Sequence, residues 1–225
     1  MLPNTRSTVP PAPGSASLLN GAIAPTPSPP SQVGLLADWV AYHAHLFGMH
    51  HLYVIDHKSS NTSLLDDLRR WQTQGLNVIP FQGSFREKHE MLSKVMHSAA
   101  ASARFVVPLD ADEFLAVEHT AGTVITSREA ILGEFDRLVV DGRKYKVATR
   151  QAGCPAEGSL AADLHRPALS SHFHNSVRSP MSKTFYNGGT DFISTDQGNH
   201  FGALSAPYGT VAGAVAARFD LRGRH

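Results

Sequence analysis

The chain has 225 residues, a formal net charge of +1 and 42% hydrophobic residues, which are the proportions of a globular protein with one sizeable core and tails. The lack of a basic excess argues against a nucleic-acid partner. The single cysteine, Cys154, excludes an intrachain disulfide. No apolar run approaches the roughly 20 residues that a membrane span needs.

Residues 1–32 are rich in Pro, Ser, Ala and Gly, and this composition predicts a disordered leader that contains no strand. A folded domain is expected over residues 33–225. Its first helix is predicted from about residue 34 to Phe47, because apolar residues recur at helical spacing and Gly48 then provides a C-terminal cap.

Short apolar strands and amphipathic helices then alternate. Strands are predicted over 51–56 and 76–81, a helix from 64 until Gly75 stops it, and a third helix over 87–103. The order of helix and strand with short links predicts an α/β fold with a parallel sheet and helices on both of its faces.

The sequence FVVPLDADEFL, residues 105–115, combines a buried strand with three acids, Asp110, Asp112 and Glu113. Aspartates at i and i+2 can face one hard divalent ion, which also bridges phosphates. The carboxyl end of a strand is where open α/β sheets bind ligands. A metal–diphosphate site is one interpretation, and a solvated acidic turn with Asp112 as a helix cap is the other.

Five histidines lie between residues 43 and 57, but they do not predict a metal site. His43 and His45 are two positions apart on a helix, so their side chains point to different faces. The cluster has no cysteine and no zinc-like spacing. The sequon that begins at Asn61 is interpreted as a turn and helix cap.

Three stretches of the chain resemble the glycosyltransferase family 2-like and family 92-like enzymes. The first is LADWVAYHAHLFGMHHLYVIDHKSSNTSLLDDL, whose matching positions are Asp38, Trp39, Tyr42, His43, Gly48, Asp56 and Ser59. The second is FVVPLDADEFL, which resembles the metal-binding strand of the family. The third is SKTFYNGGTDFISTDQGNHFG, which resembles the region with a lysine and a later Gly-x-His. The likeness covers residues 35–118 and, more loosely, 180–202.

The resemblance implies a GT-A fold, with a Rossmann-like and mainly parallel sheet. It also implies transfer of a sugar from a nucleotide-sugar donor to a hydroxyl of a glycan or another acceptor, with Mn²⁺ or Mg²⁺ as cofactor. Asp110 and Asp112 would form the D-x-D pair, with Asp112 the more direct metal ligand and Glu113 a supporting acid. His200 would be a further metal or diphosphate contact.

The resemblance also assigns the donor contacts. Asp56 would lie beside the nucleotide, Ser59 in the turn that follows, and Lys183 would offset the charge of the leaving group. An inverting transfer needs a carboxylate base for the acceptor hydroxyl, and Asp191 and Asp196 are the available acids.

The chain departs from the family at its start. A proline-rich leader stands where the family has a strand that ends in Asn-Glu, and Asn61 replaces an acid after the serine turn. Either the chain is N-terminally truncated, which leaves the nucleotide pocket unfinished, or the pocket is closed in another way. A catalytically silent protein that keeps nucleotide or glycan binding is the alternative. A Mg²⁺-dependent phosphoryl-transfer enzyme is disfavoured, because neither a phosphate loop nor a phosphatase motif occurs.

Location follows from the same resemblance. The family's eukaryotic members are Golgi proteins with an N-terminal membrane anchor, so a Golgi or membrane-associated location is expected if such an anchor lies upstream, and a cytoplasmic one otherwise.

The second half carries fewer patterns. A helix is predicted over 126–140 with Ser127 as N-cap, and an alternating strand over 144–150. Residues 151–180 are expected to form a long surface loop, which the resemblance implies would help to select the acceptor. His172 and His174 do not suffice for a metal site, and the Ala/Gly-rich C-terminal end is expected to be incomplete.

Overall fold

The computed structural model describes residues 16–20, 30–111, 113–118, 124–137, 146–148, 154–155, 173–174, 184–187, 192–196, 202–204, 210–212 and 215–218. Within these ranges the helices are α1 Pro30–Phe47, α2 Thr62–Thr73, α3 Lys88–Ala100 and α4 Arg128–Arg137. Two 3₁₀ turns cover Met49–His51 and Phe85–Glu87. None of these helices combines the length and apolar content needed to cross a bilayer.

The strands are numbered in chain order. They are β1 Ala16–Asn20, β2 Leu52–His57, β3 Asn77–Phe81, β4 Phe105–Leu109, β5 Glu113–Glu118, β6 Val124–Ile125, β7 Lys146–Ala148, β8 Cys154–Pro155, β9 Phe173–His174, β10 Thr184–Asn187, β11 Phe192–Thr195, β12 Gly202–Leu204, β13 Thr210–Ala212 and β14 Val215–Arg218.

Seven strands form the main sheet in the order β13-β7-β10-β4-β1-β2-β3. The pairs β4–β1, β1–β2, β2–β3 and β7–β13 are parallel, whereas β10 is antiparallel to both of its neighbours. β3 forms one edge, and its exposed Pro80 is a residue that suits an edge strand. The expected α/β class and mainly parallel sheet are confirmed.

β1 corrects the prediction for the N-terminal leader. Leu18 pairs with both Leu52 and Val107, so a strand from this proline-rich segment lies between β2 and β4. The prediction that residues 1–32 contain no strand, and that the first strand of the sheet is missing, is therefore wrong. The helix α1 also begins at Pro30, before the expected start near residue 34. The remainder of the predicted division at residues 32 and 33 stays a prediction.

Helices cover both faces of the sheet, as predicted. Helices α1, α2 and α4 pack on one side, called here the α1 face, and α3 packs on the other, the α3 face. β4 is buried along its length, and its side chains alternate between the two faces. Those on the α1 face are Phe105, Val107 and Leu109, and Val106 lies on the α3 face.

Local signals end the first two helices as predicted. Gly48 adopts φ +92° directly after α1, and Gly75 adopts φ +105° shortly after α2, which are conformations that favour glycine. Asn61 caps α2, because its Oδ1 accepts a hydrogen bond from the backbone N–H of Leu64 at 3.1 Å. The interpretation of Asn61 as a helix cap is confirmed.

The second half contains elements that sequence analysis missed. β5 follows the acidic turn and pairs with β6 and β14. Ser127 precedes α4, and its Oγ accepts from the N–H of Ala130 at 3.3 Å, as its predicted role as N-cap requires. β7 lies inside the predicted strand. β8 and β9 pair with each other inside the predicted loop over 151–180, most of which lies outside the described residues, as does His172.

Candidate functional site

Three parallel strands end at the same edge of the sheet. Asn20, the last residue of β1, is opposite both Leu109 and Val54. Asp110 follows Leu109 directly, and Asp56 lies two residues beyond Val54. From β1 the chain extends the sheet on one side through β2 and β3. It then crosses back to form β4 on the other side of β1, so the direction of the connections reverses between β1 and β4. Open α/β sheets bind their ligands at such a point.

Reciprocal hydrogen bonds close the acidic turn that follows β4. The N–H of Glu113 donates to the carbonyl of Asp110 at 3.0 Å, and the N–H of Asp110 donates to Oε2 of Glu113 at 2.8 Å. Glu113 is 2% exposed, whereas the side chain of Asp110 is 23% exposed. Glu113 therefore holds the turn from the inside, and Asp110 keeps a carboxylate that solvent can reach.

A buried lysine lies beside this turn, and sequence analysis did not identify it. Nζ of Lys88, the first residue of α3, is 3.8 Å from Oδ1 of Asp110. The side chain of Lys88 is only 7% exposed. Alternation along the strand places Asp110 on the α3 face, so the two charges meet on the same side of the sheet. A lysine at a helix start is normally solvated, and only the tertiary structure reveals this pair.

The loop after β2 is fixed by its own side chains. Oδ1 of Asp56 accepts from the N–H of Ser59 at 3.3 Å, which places Ser59 in the turn after the strand as expected. Between them Lys58 adopts φ 57°, a left-handed conformation that is rare for a residue with a Cβ. Nε2 of His57 donates to the carbonyl of Gly83 at 2.8 Å and so ties this loop to the loop after β3.

The loop after β3 leads into α3 through a second acid. The N–H and Oγ of Ser84 donate to Oε2 of Glu87 at 2.6 and 2.7 Å. These hydrogen bonds, together with the positive charges of Lys58 and Lys94, lower the pKa of Glu87. Glu87 is exposed and lies on the solvent side of this loop. The next residue, Lys88, is buried.

Helix α1 supports the strand that leaves the acidic turn. The hydroxyl of Tyr42 donates to the carbonyl of Leu115 in β5, and burial raises the pKa of Tyr42. The ring of His43 stacks on Phe114, with centroids 5.8 Å apart and planes 20° apart. His43 is 0% exposed while His45 is exposed, so the prediction that they face different sides of the helix is confirmed.

Asp196 lies on the α3 face, beyond the end of β11. The N–H of the preceding Thr195 donates to Oγ of Ser93 at 3.1 Å, which attaches this segment to α3. Burial, together with the negative charge of Asp196, raises the pKa of Tyr186, against a lowering hydrogen bond with Thr195. Asp196 is thus half-buried next to Tyr186.

The remaining predicted site residues, Asp112, Lys183, Asp191 and His200, lie outside the described residues. Within the described ranges, no group of three or more His, Cys, Asp or Glu side chains could hold a metal ion. The accessible carboxylate of Asp110 is a hard oxygen donor of the kind that Mn²⁺ and Mg²⁺ take. In the described part of the turn, Asp110 is therefore the residue whose chemistry fits a divalent ion.

No protein-family model matches the chain, and no curated protein matches it either. Among solved structures, S. aureus TarS 1–349 in complex with UDP is similar, with 9% identity over 87% of this chain and 60% of that chain and a TM-score of 0.45. Glucosyl-3-phosphoglycerate synthase from Mycobacterium tuberculosis, in complex with Mn²⁺, uridine-diphosphate and phosphoglyceric acid, is 16% identical over 77% and 55%, with a TM-score of 0.38.

Mannose-1-phosphate geranyltransferase from Thermus thermophilus is 13% identical over 78% of this chain and 55% of that chain, with a TM-score of 0.36. The chain spans about a third to three-fifths of the length of the structures it matches, from 32% to 60%. Because these TM-scores lie below 0.5, the likeness decides neither the fold family nor the activity of this chain.

Proposed function

We propose that this protein is a metal-dependent glycosyltransferase of the GT-A type, which moves a sugar from a nucleotide-sugar donor to a hydroxyl acceptor with inversion. The observation that carries the proposal is the edge at which β1, β2 and β4 end together. There the accessible carboxylate of Asp110 follows a fully buried strand, and Asp56 is the second-last residue of β2, on the other side of β1.

The chemistry of sugar transfer explains this arrangement of charges. Breaking the bond between sugar and phosphate leaves negative charge on the nucleoside diphosphate, which a divalent ion stabilises. Asp110, together with Asp112 and His200, would hold that ion. Asp56 and the turn at Ser59 would contact the nucleotide, since they lie at the same edge.

Two further roles belong to residues in the C-terminal half. Lys183 would add a positive charge beside the leaving diphosphate. Asp191 or Asp196 would take the proton of the acceptor hydroxyl as the new bond forms. Asp196 would require a path from the α3 face to the acceptor, so Asp191 and Asp196 are to be tested separately by substitution with asparagine.

Calorimetric titration with UDP and GDP, each with and without Mn²⁺, tests the proposal. Binding that requires the metal is the expected result, and transfer from the matching nucleotide sugar should then be detectable. Metal-dependent binding without transfer to any acceptor would favour the alternative of a catalytically silent protein that binds nucleotides. A folded sample that binds neither nucleotide would refute both.

Substitution separates the expected metal ligands. We expect Asp112→Ala to remove the effect of Mn²⁺ on nucleotide affinity and to leave the fold intact, because it deletes the carboxylate that the resemblance assigns as the more direct metal ligand. His200→Ala should weaken the same effect less. The opposite order would mean that the histidine anchors the ion, and Asp67→Ala, a substitution in α2 away from this edge, is the matched control.

A further inference from the structure

Lys88 carries a charged side chain that is buried beside the candidate site. Its side chain is 7% exposed, and Nζ lies 3.8 Å from Oδ1 of Asp110. An ammonium group loses much of its solvation when it is buried, so it is stable only beside an opposite charge. The 3.8 Å separation is longer than a hydrogen bond. The pair is therefore an electrostatic contact, and the carboxylate of Asp110 is still 23% exposed to solvent and its ions.

The position of Lys88 would let its charge act on bound ligands as well as on Asp110. Helix α3 begins shortly after β3, at the edge of the sheet where β1, β2 and β4 end. A positive charge here repels a divalent ion that approaches Asp110, and it attracts the negative charge of a diphosphate. The two effects have opposite signs, so they can be measured apart.

We propose that Lys88 is a specificity-determining residue that couples the binding of the metal ion to that of the nucleoside diphosphate. Its charge weakens the affinity of the acidic turn for a free divalent ion and strengthens the affinity for the diphosphate. The ion therefore binds well only when the diphosphate supplies further negative charge. This inference rests on the proposed function.

The test compares three variants with the wild-type chain. Lys88→Met removes the charge and keeps the length of the side chain, and Lys88→Arg keeps the charge. Lys94→Met removes an exposed charge from the same helix and controls for net charge. Calorimetry measures the dissociation constant of Mn²⁺ alone and that of UDP at saturating Mn²⁺, and circular dichroism checks that each variant is folded.

We expect Lys88→Met to bind Mn²⁺ about tenfold more tightly and, at saturating Mn²⁺, to bind UDP about tenfold more weakly. Nζ lies 3.8 Å from Oδ1 of Asp110, and a metal–oxygen bond adds roughly 2 Å. A single charge about 6 Å from a doubly charged ligand has an effect of about this size even at the dielectric constant of water. Lys88→Arg and Lys94→Met should stay within about twofold of the wild type, because the local charge is kept or a remote charge is lost. If Lys88 served only to position the turn, its replacement would instead weaken the binding of both ligands.

Other results overturn the inference. Unchanged affinities in Lys88→Met, or weaker binding of Mn²⁺, would refute it while leaving the proposed function standing. If Lys88→Met does not fold, Lys88→Gln provides the same loss of charge with a polar group toward Asp110. Failure of both variants to fold would assign Lys88 to the fold and also refute the inference. A folded wild-type chain that binds no UDP even at saturating Mn²⁺ would refute both proposals.

Discussion

The histidine beneath the acidic turn makes the stability of this protein depend on pH. His43 is fully buried, its Nδ1 donates to the carbonyl of Trp39 at 2.9 Å, and Nε2 has no partner among the described residues. Burial lowers the pKa of His43 to about 3 from an ordinary value near 6.5, against a smaller opposing effect of the hydrogen bond. The folded state therefore holds this imidazole neutral.

The sign of the effect follows from proton binding. Between these two pKa values His43 binds a proton in the unfolded chain but not in the folded chain. The free energy of unfolding therefore falls as pH falls below about 6.5. At pH 5 the loss is about 2 kcal/mol relative to pH 7.5, since pH 5 lies about 1.5 units below the unfolded pKa. The loss continues to grow until the pH approaches the folded pKa of about 3.

Urea unfolding at pH 7.5, 6 and 5 measures this loss in the wild type and in His43→Leu. Leucine fills a similar volume and cannot titrate, so its loss of stability over the same range should be smaller by about 2 kcal/mol. His45→Leu, on the exposed side of the same helix, should behave as the wild type. His51, whose pKa burial also lowers, contributes equally to all three chains. An equal pH dependence in His43→Leu and the wild type would refute the reasoning.

Two backbone positions give further predictions. Gly202→Ala should lower the free energy of unfolding by about 1–3 kcal/mol, because a Cβ there would lie 2.7 Å from the carbonyl oxygen of Ser194 and would collide with Oη of Tyr186. Gly133→Ala, in α4 with no neighbour within 4 Å, should instead raise the free energy of unfolding by about 0.5–1 kcal/mol. Urea unfolding measures both variants, and equal effects of the two substitutions would contradict both predictions. Lys58→Gly should be about 1 kcal/mol more stable than Lys58→Ala in the same assay. Both substitutions remove the charge, but only glycine suits φ 57°. An alanine variant as stable as the glycine variant would exclude backbone strain at this position.

Periodicity predicted the elements that bury one clear face. Helix α3, for example, places Leu92, Val95, Met96 and Ala99 on the α3 face at the spacing that the sequence displays. Its observed end at Ala100 lies three residues before the expected one, since the ends of helices are the part that periodicity specifies least. Strands β2 to β4 were predicted for the same reason, since their apolar, β-branched residues fill the two faces of the sheet.

β1 could not be predicted in this way. Its sequence, ASLLN, has no β-branched or aromatic residue and lies between proline-rich segments. Its strand conformation comes from partners that lie far away in sequence, β2 and β4, which supply backbone hydrogen bonds on both sides. Local propensity carries no information about such a tertiary effect.

The same limit applies to the candidate site. Asp56 and Asp110 were recognisable because carboxylates directly follow apolar strands. Lys88 was not, because a lysine in the first turn of a helix is ordinarily solvated, and its burial depends on the approach of β4. The expected roles of Asp112, Lys183, Asp191 and His200 stay predictions.

The central position of β1 makes the two halves of the parallel sheet mechanically dependent on five residues. Among the described strands, β2 and β4 form no hydrogen bonds with each other, so the backbone hydrogen bonds between the halves pass through Ala16–Asn20. Two inter-strand spacings, roughly 10 Å, separate β2, which contains Asp56, from β4, which leads into Asp110. Local opening of this short strand would leave the halves joined by side-chain packing alone, so the width of the candidate site depends on the same backbone ladder as the continuity of the sheet.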